Sequence, residues 1–279
     1  MTGVQTCALP ILKPISHFQI RGVPGLVRTA SFDGRRVDYW STVNPSHLLI
    51  AHDGQNVFDP RSATRRRTWK MAQTAIKVFE SKGLKPPAII GVFHSSNKSD
   101  PHGRFKDLTP QNPFSGKVPP PKDAPFPVSE LRGNSYQELI AEKIVPEISN
   151  ELGIEIPFEN RAMIGSSMGG LATLNALTLR KDFFSTALAF SPHWVIGGSL
   201  LVDEMLNELP LPGTHKIWMS RGDKKLDATY KPDQDHADSS MRDLGWGKAF
   251  KSTVYKGAGH NEGAWAKQLA DALNFWLAD

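Results

Sequence analysis

Short apolar or β-branched runs alternate along the chain with longer stretches in which apolar residues recur at helical spacing. The runs are "HLLIAHDG" from His47, "PAIIGVFHSS" from Pro87, "AMIGSS" from Ala162, "TALAFSP" from Thr186, "KIWMSRG" from Lys216 and "STVYKGAGH" from Ser252. Between them, Trp69–Glu80, Tyr136–Ile148, Gly169–Leu179 and Trp265–Leu277 read as helices; in the last, Leu269, Ala272, Leu273 and Trp276 share one face. Strand and helix in alternation predict an α/β fold: a mostly parallel central sheet with helices on both faces. Ahead of the first run, "GLVRTASFDGRRVDYWSTV" alternates about Asp33-Gly34, the pattern of an antiparallel hairpin that supplies N-terminal edge strands.

One segment breaks the alternation. Residues 95–132 hold eight prolines, at positions 101, 110, 113, 119, 120, 121, 125 and 127, too many for a helix or a central strand. A long lid-like loop is expected, leaving the sheet at its carboxyl edge, where open α/β sheets bind ligands. The expected organisation is a single domain over residues 15–279 with this Pro-rich insertion at about 95–132. Residues 1–14 are set apart as non-native or disordered, because "MTGVQTCALPI" resembles the translation of sequencing-adapter read-through at the edge of a metagenomic contig. Cys7, the only cysteine, falls inside that segment, so neither a disulfide framework nor a thiolate metal site is expected.

Charge changes the picture little. The 279 residues carry a formal net charge of +5, but the only dense basic cluster is Arg65, Arg66 and Arg67 with Lys70. Elsewhere acids and bases interleave without the aromatic-basic repeat that stacks nucleic-acid bases, so no nucleic-acid partner is expected. The Arg65–Arg67 cluster reads as a solvated helix start, with an anionic substrate near a binding mouth as the competing reading. No run approaches the roughly 18 apolar residues of a membrane span, and no charged-then-apolar leader opens the chain. A cytoplasmic location is the expectation, subject to a signal peptide lost with the natural N-terminus.

The chemistry concentrates around Gly165-Ser166-Ser167-Met168-Gly169, which places Ser167 at the centre of G-x-S-x-G between a strand and a helix. That pattern describes a sharp turn holding its central residue in a strained conformation, with near-absent side chains two positions either way. A serine hydroxyl is barely ionised near neutrality and needs a base. Of nine histidines, His260 is favoured, lying past the last strand and ahead of the last helix; His52, His94 and His193 end other strands and read as packing or supporting groups. The orienting acid is sought between serine and histidine, among Asp223, Asp227, Asp233 and Asp235. Asp233 and Asp235 read as helix-capping residues and Asp223 as part of a turn, which leaves Asp227 preferred. Two backbone donors are needed for a tetrahedral oxyanion, and Met168 and Gln55 are assigned to them.

Taken together, "HDGQNVFD", "IGSSMGGLATLNA", "AFSPHW", "GDKKLDATY" and "GAGHNEGAW" resemble, in order, the esterase D and enterochelin-esterase-like family of the α/β-hydrolases, from about residue 35 onward. The resemblance implies an α/β-hydrolase fold, Ser167 as nucleophile, His260 as base and Gln55 as an oxyanion donor. The acid carries over through "LDA-x-Y", since relatives show Gly-Thr-Glu or Gly-Thr-Asn-Asp where this chain has Gly222-Asp223-Lys224-Lys225. Around "HGRFKDLTP", Arg104, Asp107 and Pro110 echo the family. The expectation is a serine hydrolase of carboxylic esters, acting on a small-molecule ester with Asp53, Trp194 and Arg104 lining the substrate site and no metal or organic cofactor. An acyltransferase using the same acyl-enzyme and a non-catalytic binding protein on the same scaffold are the competing expectations.

Overall fold

The computed structural model describes residues 12–121 and 124–278. Of the segment 1–14 set apart above, residues 1–11, with Cys7, lie outside the described residues, whereas Leu12 packs against the core. Among the described residues nine strands form one sheet in the order β1-β2-β3-β5-β4-β6-β7-β8-β9. They are β1 Ser16–Phe18, β2 Val27–Phe32, β3 Arg35–Trp40, β4 Leu48–His52, β5 Ala88–Val92, β6 Arg161–Ser166, β7 Thr186–Phe190, β8 Lys216–Lys224 and β9 Phe250–Gly259. The pairs β1–β2, β2–β3 and β3–β5 are antiparallel, and every pair from β5 to β9 is parallel. The hairpin turns at Asp33 and Gly34, both at positive φ, as the predicted two-residue turn requires.

Ten α-helices among the same residues cover the sheet: α1 Met71–Glu80, α2 Gly103–Leu108, α3 Gln111–Ser115, α4 Gly133–Leu139, α5 Val145–Leu152, α6 Met168–Leu179, α7 Gly198–Asn207, α8 Leu226–Thr229, α9 Lys231–Asp243 and α10 Glu262–Trp276. A π-helical turn over Ile140–Ile144 joins α4 to α5. Strand residues alternate between two cores, as a pleated sheet covered on both faces demands. Leu48, Ile50, Met163, Ala187, Ala189, Ile217 and Met219 face one, with α4–α7 and α9. Leu49, Ala51, Ala162, Ile164, Leu188, Phe190 and Trp218 face the other, with α1 and α10.

The Pro-rich segment is more ordered than a loop: α2 and α3 lie within it. Pro101 and Pro110 fall outside the two helices, and Pro113 sits in the first turn of α3, where a missing N–H leaves no hydrogen bond unmade. The chain passes from β4 to β5 on one side of it and then from β5 back across to β6 on the other side of β4. This reversal opens a crevice at the carboxyl ends of the strands, and the candidate residues collect there.

Candidate active site

The elbow carrying Ser167 follows from local sterics. Ser167 holds φ 57 and ψ −121 between β6 and α6. That turn brings the backbone of residue 169 over residue 165 so closely that a Cβ on Gly165 would lie 2.3 Å from the Gly169 carbonyl oxygen. The strained backbone is pinned at both ends: Ser167 N–H donates to Phe190 O at 2.8 Å, and the Ser167 carbonyl accepts from His193 N–H at 3.2 Å. Met168 opens α6, where first-turn amides have no intrahelical acceptor.

His260 directly follows β9, and its Nδ1–H donates to Asp227 Oδ1 at 2.6 Å. Since a carboxylate only accepts, this fixes the ring proton on Nδ1 and leaves the Nε2 lone pair available. Asp227 is fully buried on α8; its Oδ2 accepts from Gly222 N–H at 2.7 Å and from Ser191 Oγ–H at 3.0 Å. Trp265 Nε1–H donates in turn to Ser191 Oγ at 3.1 Å, and its ring meets the His260 ring edge-on at 4.8 Å between centroids.

The other acids lie apart. Asp223 belongs to β8 itself, where its carboxylate accepts from Gly257 N–H at 2.7 Å, bracing β9 rather than shaping a turn. Asp233 and Asp235 lie on α9, whose N-cap is Tyr230; Asp235 pairs with Lys231 and with Arg221 at 3.7 Å. The expected capping role is therefore corrected: both aspartates sit inside the helix.

Gln55 lies on a 3-10 turn over Gly54–Asn56, directly after β4. Gly54 packs so tightly on β5 that a Cβ there would stand 2.4 Å from the Gly91 carbonyl oxygen. The same turn abuts the elbow helix, because a Cβ on Gly169 would meet His52 Cβ at 3.3 Å and Asp53 Oδ2 at 3.5 Å. Asp53 is buried at φ 54, and Arg104 grips its carboxylate bidentately, Nε to Oδ1 at 2.8 Å and Nη2 to Oδ2 at 2.6 Å. Gln55 Nε2–H adds a bond to Asp53 Oδ1 at 3.0 Å. Burial alone would raise the Asp53 carboxyl, but the Arg104 charge and these hydrogen bonds outweigh it and hold it at about 2. His52 beneath the turn bonds Tyr136 Oη at 2.8 Å, and burial lowers its ring to about 4.

Arg104 comes from α2, whose Asp107 is buried between Arg35 and Arg132, at 2.8 and 3.1 Å. Of the three residues expected to line the substrate site, Asp53 is occupied by Arg104, whose own side chain is one-third exposed. Trp194 does not line it: the ring is fully buried in the core and its Nε1–H donates to Gln234 Oε1 at 3.2 Å. Its neighbour His193 borders a cavity of about 500 Å³ with Phe105, Pro119, Pro120, Pro121 and Leu200. Arg65, Arg66 and Arg67 are exposed on a turn ahead of α1, not in its first turn.

Two residues were missed by reading the sequence. Ser191 clamps Asp227 from the end of β7, at φ 43. Tyr230, three residues after Asp227, bonds His193 Nδ1 through its phenol, and its ring meets the His260 ring edge-on at 5.3 Å between centroids. Tyrosine at that position in "LDATY" was the available signal. Among the described residues no cluster of three His, Cys, Asp or Glu could hold a metal ion, and no helix is long and apolar enough to cross a membrane.

The family described as "Putative esterase" matches residues 37–276. The ferri-bacillibactin esterase BesA of Bacillus subtilis (strain 168) is 28% identical over 117 residues, 41% of this chain and 39% of that one. A siderophore enterobactin esterase of Emericella nidulans is 32% identical over 103 residues, 36% of this chain and 33% of that one. The matches thus span between a third and two fifths of these relatives' lengths. Among solved structures, the enterobactin and salmochelin hydrolase IroE superposes with a TM-score of 0.62 at 20% identity, covering 88% of this chain and 94% of that one. The BES protein from Bacillus cereus superposes at 0.63 and 17% identity, covering 100% and 99%. These structures share the α/β-hydrolase fold seen here.

Proposed function

The chain belongs to the "Putative esterase" family of the α/β-hydrolases, and from that premise we propose that it hydrolyses carboxylic esters through an acyl-enzyme on Ser167. The observation that carries this reading is the Asp227–His260 bond of 2.6 Å, formed by a fully buried acid at the carboxyl edge that also presents the strained Ser167 elbow. Ser167 Oγ attacks the ester carbonyl while His260 Nε2 takes its proton; His260 then returns the proton to the leaving alcohol. Asp227 keeps the imidazole in the Nδ1–H tautomer and stabilises the imidazolium without itself taking the proton. The backbone amides of Met168 and Gln55 hold the developing oxyanion. Asp53 and Arg104 then act as positioning residues, fixing the turn that aims the Gln55 amide. Water repeats the cycle on the acyl-enzyme and releases the acid.

The Pro-rich insertion forms one wall of the substrate site, where the cavity beside His193 offers apolar surface from Phe105, three prolines and Leu200 to the acyl or alcohol group. Esters of siderophores are the first substrates to try, because both curated relatives carry that activity in their names.

The test is intact mass after mixing the protein with a fluorophosphonate, followed by peptide mapping and an ester panel of siderophore, feruloyl and p-nitrophenyl substrates. One adduct on Ser167, absent from Ser167→Ala, supports the acyl-enzyme. No adduct would move the non-catalytic binding reading to the front.

A further inference from the structure

Arg67, the last of the three clustered arginines, lines a cavity of about 470 Å³ together with Lys256 on β9 and Lys267 on α10. None of these three cations has an ion pair or a side-chain hydrogen bond among the described residues. The acids around them are engaged elsewhere: Asp223 accepts from Gly257 N–H at 2.7 Å and Asp271 from Tyr255 Oη–H at 2.6 Å. Neither lines the cavity, nor does Glu262. The start of α10 adds positive character. Asn261 Oδ1 takes the Ala264 N–H at 3.1 Å, while Gly263, also in the lining, lies in the first turn, where amides lack an intrahelical acceptor. The Arg67 guanidinium rests against that turn, since a Cβ on Gly263 would stand 3.3 Å from Arg67 Nη1. A guanidinium beside a helix N-terminus is repelled by it, and two ammonium groups on the same hollow add to the repulsion. Gln268 is a separate sign. It lines the same cavity and is 2% exposed; its Oε1 accepts from Ser220 Oγ–H at 2.8 Å, and its Nε2 is buried with no partner. Buried polar groups are nearly always paired, so an unpaired donor beside uncompensated cations calls for an acceptor that carries negative charge.

We propose that this cavity is an oxyanion site, in which a phosphate, sulfate or carboxylate group binds between Arg67, Lys256 and Lys267 and accepts from Gln268 Nε2–H. His260 lies between two residues of the lining, Gly259 and Asn261, so the bound group steadies the loop that carries the proposed base. The group is either a free ion or the acidic end of an ester substrate. Binding is independent of the esterase reading; only the second source rests on it.

The experiment is isothermal titration calorimetry at low salt with inorganic phosphate and then sulfate, on wild type, Arg67→Ala, Lys256→Ala, Gln268→Met and Arg65→Ala. Arg65 is the control, an exposed cation outside the lining. Wild type should bind one phosphate, Arg67→Ala and Lys256→Ala should each weaken it by about 10-fold, and Arg65→Ala by less than about 2-fold. Gln268→Met, which keeps the volume and removes the amide, should weaken it about as much as Arg67→Ala; if it fails to fold, the two surface variants decide. No saturable binding to wild type overturns the proposal. Equal weakening by Arg65→Ala and Arg67→Ala does so too, because it marks diffuse surface charge. The source is read from KM on two p-nitrophenyl esters, one with an acyl chain ending in a carboxylate and one ending in a methyl group. If the group belongs to the substrate, Arg67→Ala raises KM for the carboxylate ester alone and phosphate competes with that ester; if it is a free ion, phosphate competes with neither. Failure of wild type to label with a fluorophosphonate would sink the esterase reading and leave the phosphate titration standing.

Discussion

The two halves of the site are held by different physics. At the base end, both oxygens of Asp227 are saturated by His260, Gly222 and Ser191, short bonds inside a buried region between the ends of β7, β8 and β9. At the proposed oxyanion end, the Asp53–Gln55 turn is fastened by a guanidinium that arrives from the Pro-rich insertion, 51 positions along the chain. One end is therefore set by strand ends together with α8 and α10, without the insertion. The other is complete only when the insertion is docked, through Arg104 to the turn and through Asp107 to Arg35 and Arg132. On the proposed mechanism, ester chemistry and insertion docking are coupled at the turn, so a lesion at each end should look different.

The widest separation comes from the proposed nucleophile. Ser167→Ala should lower kcat by about 10⁶-fold and leave the unfolding free energy nearly unchanged, measured by sensitive ester assay and urea titration. At the base end, Asp227→Asn should cost about 10⁴-fold in kcat, because an amide there no longer enforces the tautomer. Asp223→Asn should leave kcat alone; equal losses for the two would break the assignment of the base end. At the oxyanion end, Arg104→Ala should cost about 10²-fold in kcat as the turn loosens, and also about 3 kcal/mol of stability, because Asp53 is left buried and unpaired. The pair Asp53→Asn with Arg104→Ala should restore part of that stability, the coupling a double-mutant cycle reads.

Acid sharpens the same contrast at smaller scale. His52 and His193 have pKa values lowered from 6.5 to about 4. As pH falls below 6.5 the unfolded chain takes these protons first, so unfolding free energy should drop until about pH 4, at about 1.4 kcal/mol per pH unit for the well-buried His52. Asp53, lowered from 3.8 to about 2, keeps its contribution above pH 3.8 and loses it as pH falls toward 2. Chemical unfolding across pH should show the first loss at both ends of the site. The second should vanish in Arg104→Ala, which removes the charge that depresses Asp53.

How far the sequence reaches depends on whether a feature is local. The hairpin at Asp33-Gly34, the strand runs and the elbow are written in neighbouring residues, and the structure carries them within a few positions. The helices α2 and α3 were hidden by prolines that in fact lie at tolerated positions. "LDATY" marked Asp227 by resemblance, but the partners that separate it from Asp223 are 36 and 33 positions away, at Ser191 and His260. Nothing local distinguishes His193, which faces the cavity, from Trp194, which faces the core; the turn after β7 decides that. Tyr230 went unread for the same reason, since its partners meet it only after β7 and β8 pair.

His260 directly follows β9, one of the two edge strands of the sheet, which pairs on one side only and has no buried residue along its length. Edge strands of this kind fray before the interior melts. Mild heat should therefore switch the protein off by unzipping β9, with the helical signal intact, and cooling should switch it on again. Durability in use would then be gained by stitching that edge, through residues such as Lys251 or Ser252, sooner than by enriching either core.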